Sequence, residues 1–296
     1  MWRNGRRDGL KIRCWQQRVG SSPTTGTKTE IISIYFDVVF IFWENNFRDK
    51  KSNKFKCSDK TKEVCKLSYN LLINDVKSRI SDILNSDNSG HGMDHVNRVL
   101  NLSLKFARKE NVNEDVVALI ALLHDVDDYK LFGSKNAEEL TNARSIMNDC
   151  KINEEIQNQV LNELQCIGYS KSLKGIRPKA IEGKIVSDAD MCDGLGVNGV
   201  LRTYAYSLKK GKPFFDKNAF PIENLSAGEY NTTKCAESSI NHFFEKILKL
   251  KDLMMTDSGK EEAKGRHQII VDILHHFFEE EDVPEWTEYL NKYLNN

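Results

Sequence analysis

Eight consecutive apolar residues, Val116 to Leu123, run straight into an ionisable pair, His124 and Asp125. A helix that is apolar on every face belongs at the centre of a core. Ending it on two ionisable side chains costs stability unless something replaces their lost hydration. A divalent metal ion would offset that cost, so this junction is read first as a metal site. Asn113 is a good N-cap for the helix, expected from Glu114 to about Val126, with acidic residues in its first turn as the helix dipole prefers.

The rest of the chain agrees with a helical frame. Only 5 Pro and 17 Gly occur in 296 residues, which favours long uninterrupted helices over a turn-rich β sandwich. Leu67, Leu71, Leu72, Val76, Ile80, Ile83 and Leu84 recur at spacings of three and four, the stripe of an amphipathic helix stopped by Asn88-Ser89-Gly90. Val96, Val99, Leu100, Ser103, Phe106 and Ala107 mark another, ending near Asn111. Further helices are expected over 136–149, 153–168, 179–194, 197–208, 233–255 and 259–280, with a mobile loop at 209–232. The expected fold is all-α, a compact helical bundle over residues 63–296.

Residues 1–62 read differently, as a basic leader. The first sixty carry a net +7 and the remainder −7, so the chain as a whole is neutral, with 43 basic and 43 acidic residues. That balance argues against a dedicated nucleic-acid binder. The longest apolar run of the leader, Ile31–Trp43, holds Asp37 at its middle and falls short of the about 20 residues of a membrane span. The stretch Cys14 to Thr27 resembles a conceptual translation of a transfer-RNA gene, so the expected start lies near residues 60–70; the alternative is a genuine disordered or membrane-peripheral leader. Seven scattered cysteines without a CxxC pair indicate reduced thiols and a cytoplasmic protein.

Two further segments join the His-Asp junction. His91-Gly-Met-Asp-His95 opens one helix, and Ile185-Val-Ser-Asp188-Ala-Asp190-Met-Cys-Asp193 places three carboxylates after an apolar run. Such a mixed nitrogen and oxygen set suits Mn, Fe, Co, Ni, Zn or Mg. Asp193 is read as either a surface residue or a hydrogen-bond partner, and His267, His275 and His276 as surface or packing residues. No glycine-rich phosphate loop is present, so phosphate must be held by side chains. Arg98 and Lys130 lie near the motifs; Arg202, Lys246 and Lys249 lie farther along, the two lysines sharing a face with His242.

The order His95, His124-Asp125, Asp190 resembles the His-Asp (HD) superfamily of metal-dependent phosphohydrolases, in particular a bacterial subgroup of single-domain enzymes. The likeness extends over roughly residues 65–290 and includes His124-Asp-Val-Asp-Asp-Tyr-Lys130, Asp188-Ala-Asp190, Arg202-Thr-Tyr-Ala-Tyr206 and His242 to Met254. It implies metal ligation by His95, His124, Asp125 and Asp190, the last in preference to Asp188, with one divalent ion, Mn foremost. It favours Arg202, His242 and Lys246 for substrate, beside Arg98. Asp128, three residues past Asp125, matches an acidic residue that assists the attacking water; Lys130 and His91 complete the expected catalytic group, His91 as an alternative contact to the scissile phosphate. Where the subgroup commonly has Arg-Leu, this chain has Met191-Cys192, which removes a basic side chain. The implied activity is cleavage of a nucleoside triphosphate to monophosphate and pyrophosphate. A nucleoside 5′-monophosphatase and a non-catalytic nucleotide-sensing module are the rivals. The expected partner is a small phosphorylated substrate, with neither nucleic acid nor membrane, and a homodimer is left open.

Overall fold

The computed structural model describes residues 59–84, 92–222 and 238–295. Residues 1–58 of the leader, His91, the stop at 88–90 and residues 223–232 of the loop expected to be mobile lie outside the described residues. The chain divides between Leu71 and Leu72, and everything that follows concerns the second unit. Its elements are α1 (Asp59–Leu84, entering this unit at Leu72), α2 (Met93–Glu110), α3 (Glu114–Leu123), the short α4 (Tyr129–Phe132) and α5 (Ser134–Glu139), then α6 (Thr141–Asp149) and α7 (Glu154–Leu164). After a one-turn α8 (Tyr169–Ser172) come α9 (Ile181–Asp193), α10 (Gly196–Lys209), α11 (Ser239–Glu245), a 3₁₀ segment (Ile247–Leu253), α12 (Asp257–Glu280) and α13 (Pro284–Asn295). No strand occurs among the described residues, as an all-α chain requires. None of the described helices is long and apolar enough to cross a membrane.

Helix α3 is the axis of the core. All eight residues from Val116 to Leu123 are buried, each of the larger ones contributing roughly 1.5–3 kcal/mol by leaving water. Asn113 accepts from the Asp115 N–H at 2.9 Å and caps its start. Helix α2 packs on α3 and on α9, so the three lie side by side. The apolar stripe of α2 is buried as its spacing foretells, and the helix stops at Asn111, whose φ of 55° is the left-handed conformation that ends helices.

Three expectations need correction. The helix expected over 136–149 is broken at Leu140, which is left-handed (φ 52°). The cause is Asp127: its carboxylate accepts from the N–H groups of Asn142 and Ala143 at 2.8 and 2.9 Å, so a new helix is capped where the old one would have continued. The helix expected over 233–255 is, in its described part, α11 followed by the 3₁₀ segment, the chain turning at Lys246 (φ −135°, ψ −58°). Finally, α13 was not anticipated. It is held by Trp286, fully buried, stacked on Phe220 at 4.4 Å between ring centroids and donating from Nε1 to the Lys217 carbonyl at 3.1 Å.

Candidate metal centre

Helices α2, α3 and α9 each deliver a donor to one point. His95 sits in the first turn of α2, His124 is the C-cap of α3, and Asp190 lies on α9. One donor atom of each falls within 4.8 Å of the others, a separation at which one ion reaches all three. The residue after His124 joins them: Asp125 Oδ2 is 3.3 Å from His95 Nε2 and 3.4 Å from His124 Nε2. Asp190 Oδ1 is 3.4 Å from His95 Nε2.

The ring nitrogens decide what this arrangement can hold. His124 Nδ1 donates to the Ala121 carbonyl at 2.8 Å, and His95 Nδ1 donates to Asp193 at 2.7 Å. With Nδ1 protonated in both, each neutral imidazole turns an Nε2 lone pair inward, and the two Nε2 atoms are 3.1 Å apart. Two lone pairs and two carboxylates thus face one small volume, which is stable only with positive charge between them. Protons on the histidines supply it in part. Burial lowers the pKa of His95, but hydrogen bonds to Asp125, Asp190 and Asp193 outweigh it and raise it well above the ordinary value. For His124 burial is likewise outweighed, chiefly by Asp125, and the shift is upward. A divalent cation placed among His95, His124 and Asp190 satisfies their donors at once, so the residues present fit a metal ion.

Neighbouring carboxylates hold this set in place. On α9, Asp188 and Asp190 are two residues apart and so point to opposite sides, whereas Asp190 and Asp193 share a face. Asp188, fully buried, accepts from the N–H groups of Met255 and Thr256 at 2.9 and 2.7 Å and from Thr256 Oγ1 at 2.7 Å, tying α9 to the start of α12. A side chain on Gly259 would collide with that carboxylate, so the close approach needs glycine. Asp193, 2% exposed, accepts from His95 Nδ1, from Arg98 Nε at 2.7 Å and from Arg202 Nη1 at 2.5 Å. Despite burial, its bonds to His95 and Arg98 hold its carboxyl far below the usual range. Of the two readings open for Asp193, the structure therefore has the hydrogen-bond partner.

Beside Asp190 lies a concentration of positive charge. Burial lowers the Lys246 ammonium to about 8, with Lys130 and Arg202 adding repulsion against the opposing pull of Asp190. Lys246 Nζ also stands 4.7 Å from the centroid of the Tyr169 ring. His242 is pushed down to about 3 by burial and by Lys246, Lys212 and Lys130, so it is neutral at pH 7. Arg98 and Arg202 reach this neighbourhood through Asp193. Asp128 caps α4, accepting from the Lys130 N–H at 2.8 Å. Lys212 was not foreseen; it lies in the Lys-Gly-Lys-Pro turn after α10, and no periodicity ties that turn to the motifs. Lys249, expected on the His242 face, instead lines a separate cavity.

A family model for the HD domain matches residues 92–195, which contain every residue of the centre. An HD-superfamily hydrolase from Bacillus thuringiensis is 30% identical, with a TM-score of 0.57 over 72% of this chain and 98% of that one. This chain belongs to the HD superfamily. It is accordingly a hydrolase. Another relative is the Bacillus subtilis protein YpgQ, 28% identical over 71% of this chain and 92% of its own. A crystal structure of YpgQ contains ADP; it superposes with a TM-score of 0.54 over 72% of this chain and 96% of that chain at 24% identity.

Proposed function

We propose that this HD hydrolase is a cytoplasmic, divalent-metal-dependent phosphohydrolase that cleaves a nucleoside triphosphate to the monophosphate and pyrophosphate. The observation that carries the reading is the set of lysines that act on His242, namely Lys246, Lys212 and Lys130, with Asp190 and Arg202 acting in turn on Lys246. Like charges held this close repel one another, and a polyanion relieves them. Three lysine ammoniums, beside an Arg202 already paired with Asp193, exceed the two charges of a single phosphate, which favours a polyphosphate over a nucleoside 5′-monophosphate. The ADP bound by YpgQ supports a nucleotide.

In this reading His95, His124, Asp125 and Asp190 hold the ion, foremost Mn. Such an ion lowers the pKa of water and polarises a phosphoryl oxygen. The protein groups do the rest. Lys246, Lys130, Lys212 and Arg202 bind and orient the phosphate oxygens, and Lys246, though burial lowers its ammonium to about 8, stays mostly protonated at pH 7 and donates hydrogen bonds. Neutral His242 donates from its ring N–H. A water oxygen attacks the α-phosphorus, Asp128 accepts its proton, the α–β bridging bond breaks, and pyrophosphate departs with the electron pair. His91 is the alternative contact to the scissile phosphate.

The test is a substrate panel with Mn, comparing wild type with the His124→Ala/Asp125→Ala variant. Nucleoside triphosphates should yield stoichiometric pyrophosphate, and the variant should be inert. Orthophosphate release from nucleoside monophosphates, or equal rates in the two proteins, would refute the assignment. Asp128→Asn should keep its metal and KM while losing about 10²–10⁴-fold in kcat.

A further inference from the structure

A second cavity lies away from the metal centre and shares no residue with it. It measures about 500 Å³ and is bounded by the 3₁₀ segment, α12 and α13. That volume suits a ligand of nucleotide size. The 3₁₀ segment brings Lys249 and Lys251, and α13 brings Lys292. Lys251 is paired with Asp252 at 2.7 Å, whereas Lys249 and Lys292 form no ion pair among the described residues. Tyr289 and Tyr293 add ring surface, both packed edge-on against Phe244.

His267 of α12 supplies the second, independent observation. It lines the cavity and is only 7% exposed, yet its Nε2 is buried without a hydrogen-bond partner among the described residues. A buried ring nitrogen left unmatched destabilises a fold unless a ligand matches it. Two cations, an unmatched ring nitrogen and aromatic side chains together suit a phosphate joined to a flat ring. We infer that this cavity is a second ligand site, for a nucleoside phosphate, distinct from the metal centre. The 3₁₀ segment that forms its wall begins directly after Lys246, so an occupant would rest against the element that sets Lys246 beside Asp190. The site is therefore placed to regulate.

Equilibrium dialysis of the full chain with AMP, with Mn present and with Mn chelated, tests this. Chelated wild type should still bind one AMP per chain at this cavity, with an affinity that Mn does not change. Lys292→Glu should abolish that binding, and His267→Leu should weaken it at least tenfold while leaving the protein as heat-stable or more so. No AMP bound by chelated wild type, or undiminished binding by chelated Lys292→Glu, would overturn the inference. So would inorganic phosphate displacing AMP from this site with equal affinity, since the ring would then contribute nothing. Each outcome is read from binding alone and is independent of whether the metal centre hydrolyses triphosphates.

Discussion

Replacing Asp193 by Asn removes one negative charge and one acceptor while keeping the side chain's shape. The buried carboxylate serves His95 Nδ1 and two guanidinium groups. Breaking a buried ionic cluster by deleting one partner costs about 3–5 kcal/mol. Arg98 and Arg202 are 36% and 28% exposed and regain part of their hydration, which places the cost near the lower end, about 3 kcal/mol. In a unit of this size that corresponds to a fall in Tm of about 6–12 °C. The second effect is on the metal. An asparagine amide can donate to His95 Nδ1, shifting the ring proton to Nε2 and blocking the lone pair that faces His124. Loss of such a supporting partner typically weakens metal binding about 10–100-fold. Calorimetric Mn titration at pH 7.5, beside scanning calorimetry, measures both. An Asp193→Asn protein binding Mn within twofold of wild type would refute the claim that Asp193 sets the His95 tautomer. Acid should reproduce the loss of stability in wild type: the folded pKa lies below the unfolded one, so the contribution is present above about pH 4 and fades as pH falls further.

Asp190→Ala should abolish Mn binding, whereas Asp188→Ala should retain it and lose stability, because Asp188 anchors the start of α12; elemental analysis and thermal melts distinguish them, and the reverse pattern would reassign the ligand. The raised pKa values of His95 and His124 give metal-free protein a stabilisation that is full below their unfolded values, near 6.5, and is lost as pH rises through the folded ones. Melting curves of chelated protein should therefore fall as pH rises above neutrality, and Mn should restore them most at high pH; a flat profile would contradict the inward-facing arrangement. Lys130→Ala should raise KM more than it lowers kcat if the ammonium only holds phosphate, which steady-state kinetics decides.

The centre was legible in the sequence because its donors sit at positions whose local structure is strongly dictated. His124 follows an apolar run that has only one place to go, and His95 opens a helix with a clean apolar stripe. The choice between Asp188 and Asp190 follows from helix geometry only once the bonding of Asp188 to Thr256 is seen, 68 residues away. The break at Leu140 was hidden for the same reason: Asp127 lies fifteen residues from the N–H it captures at Asn142. Lys212 was invisible because loop lysines look alike in sequence, and α13 because its anchoring partners, Phe215, Phe220 and Phe278, come from distant segments.

The donors of the centre come from three different helices, with 29 residues from His95 to His124 and 66 more to Asp190. Such separations carry a loop-closure cost that local helix formation does not, so contacts of this span form late on the way to the native chain. The ion therefore cannot template the fold in the way that a zinc finger's ion does. It acts instead as a latch set after α2, α3 and α9 have docked, slowing unfolding far more than it speeds folding. Chelation should lengthen the unfolding arm of a chevron plot towards faster rates while leaving the refolding arm in place.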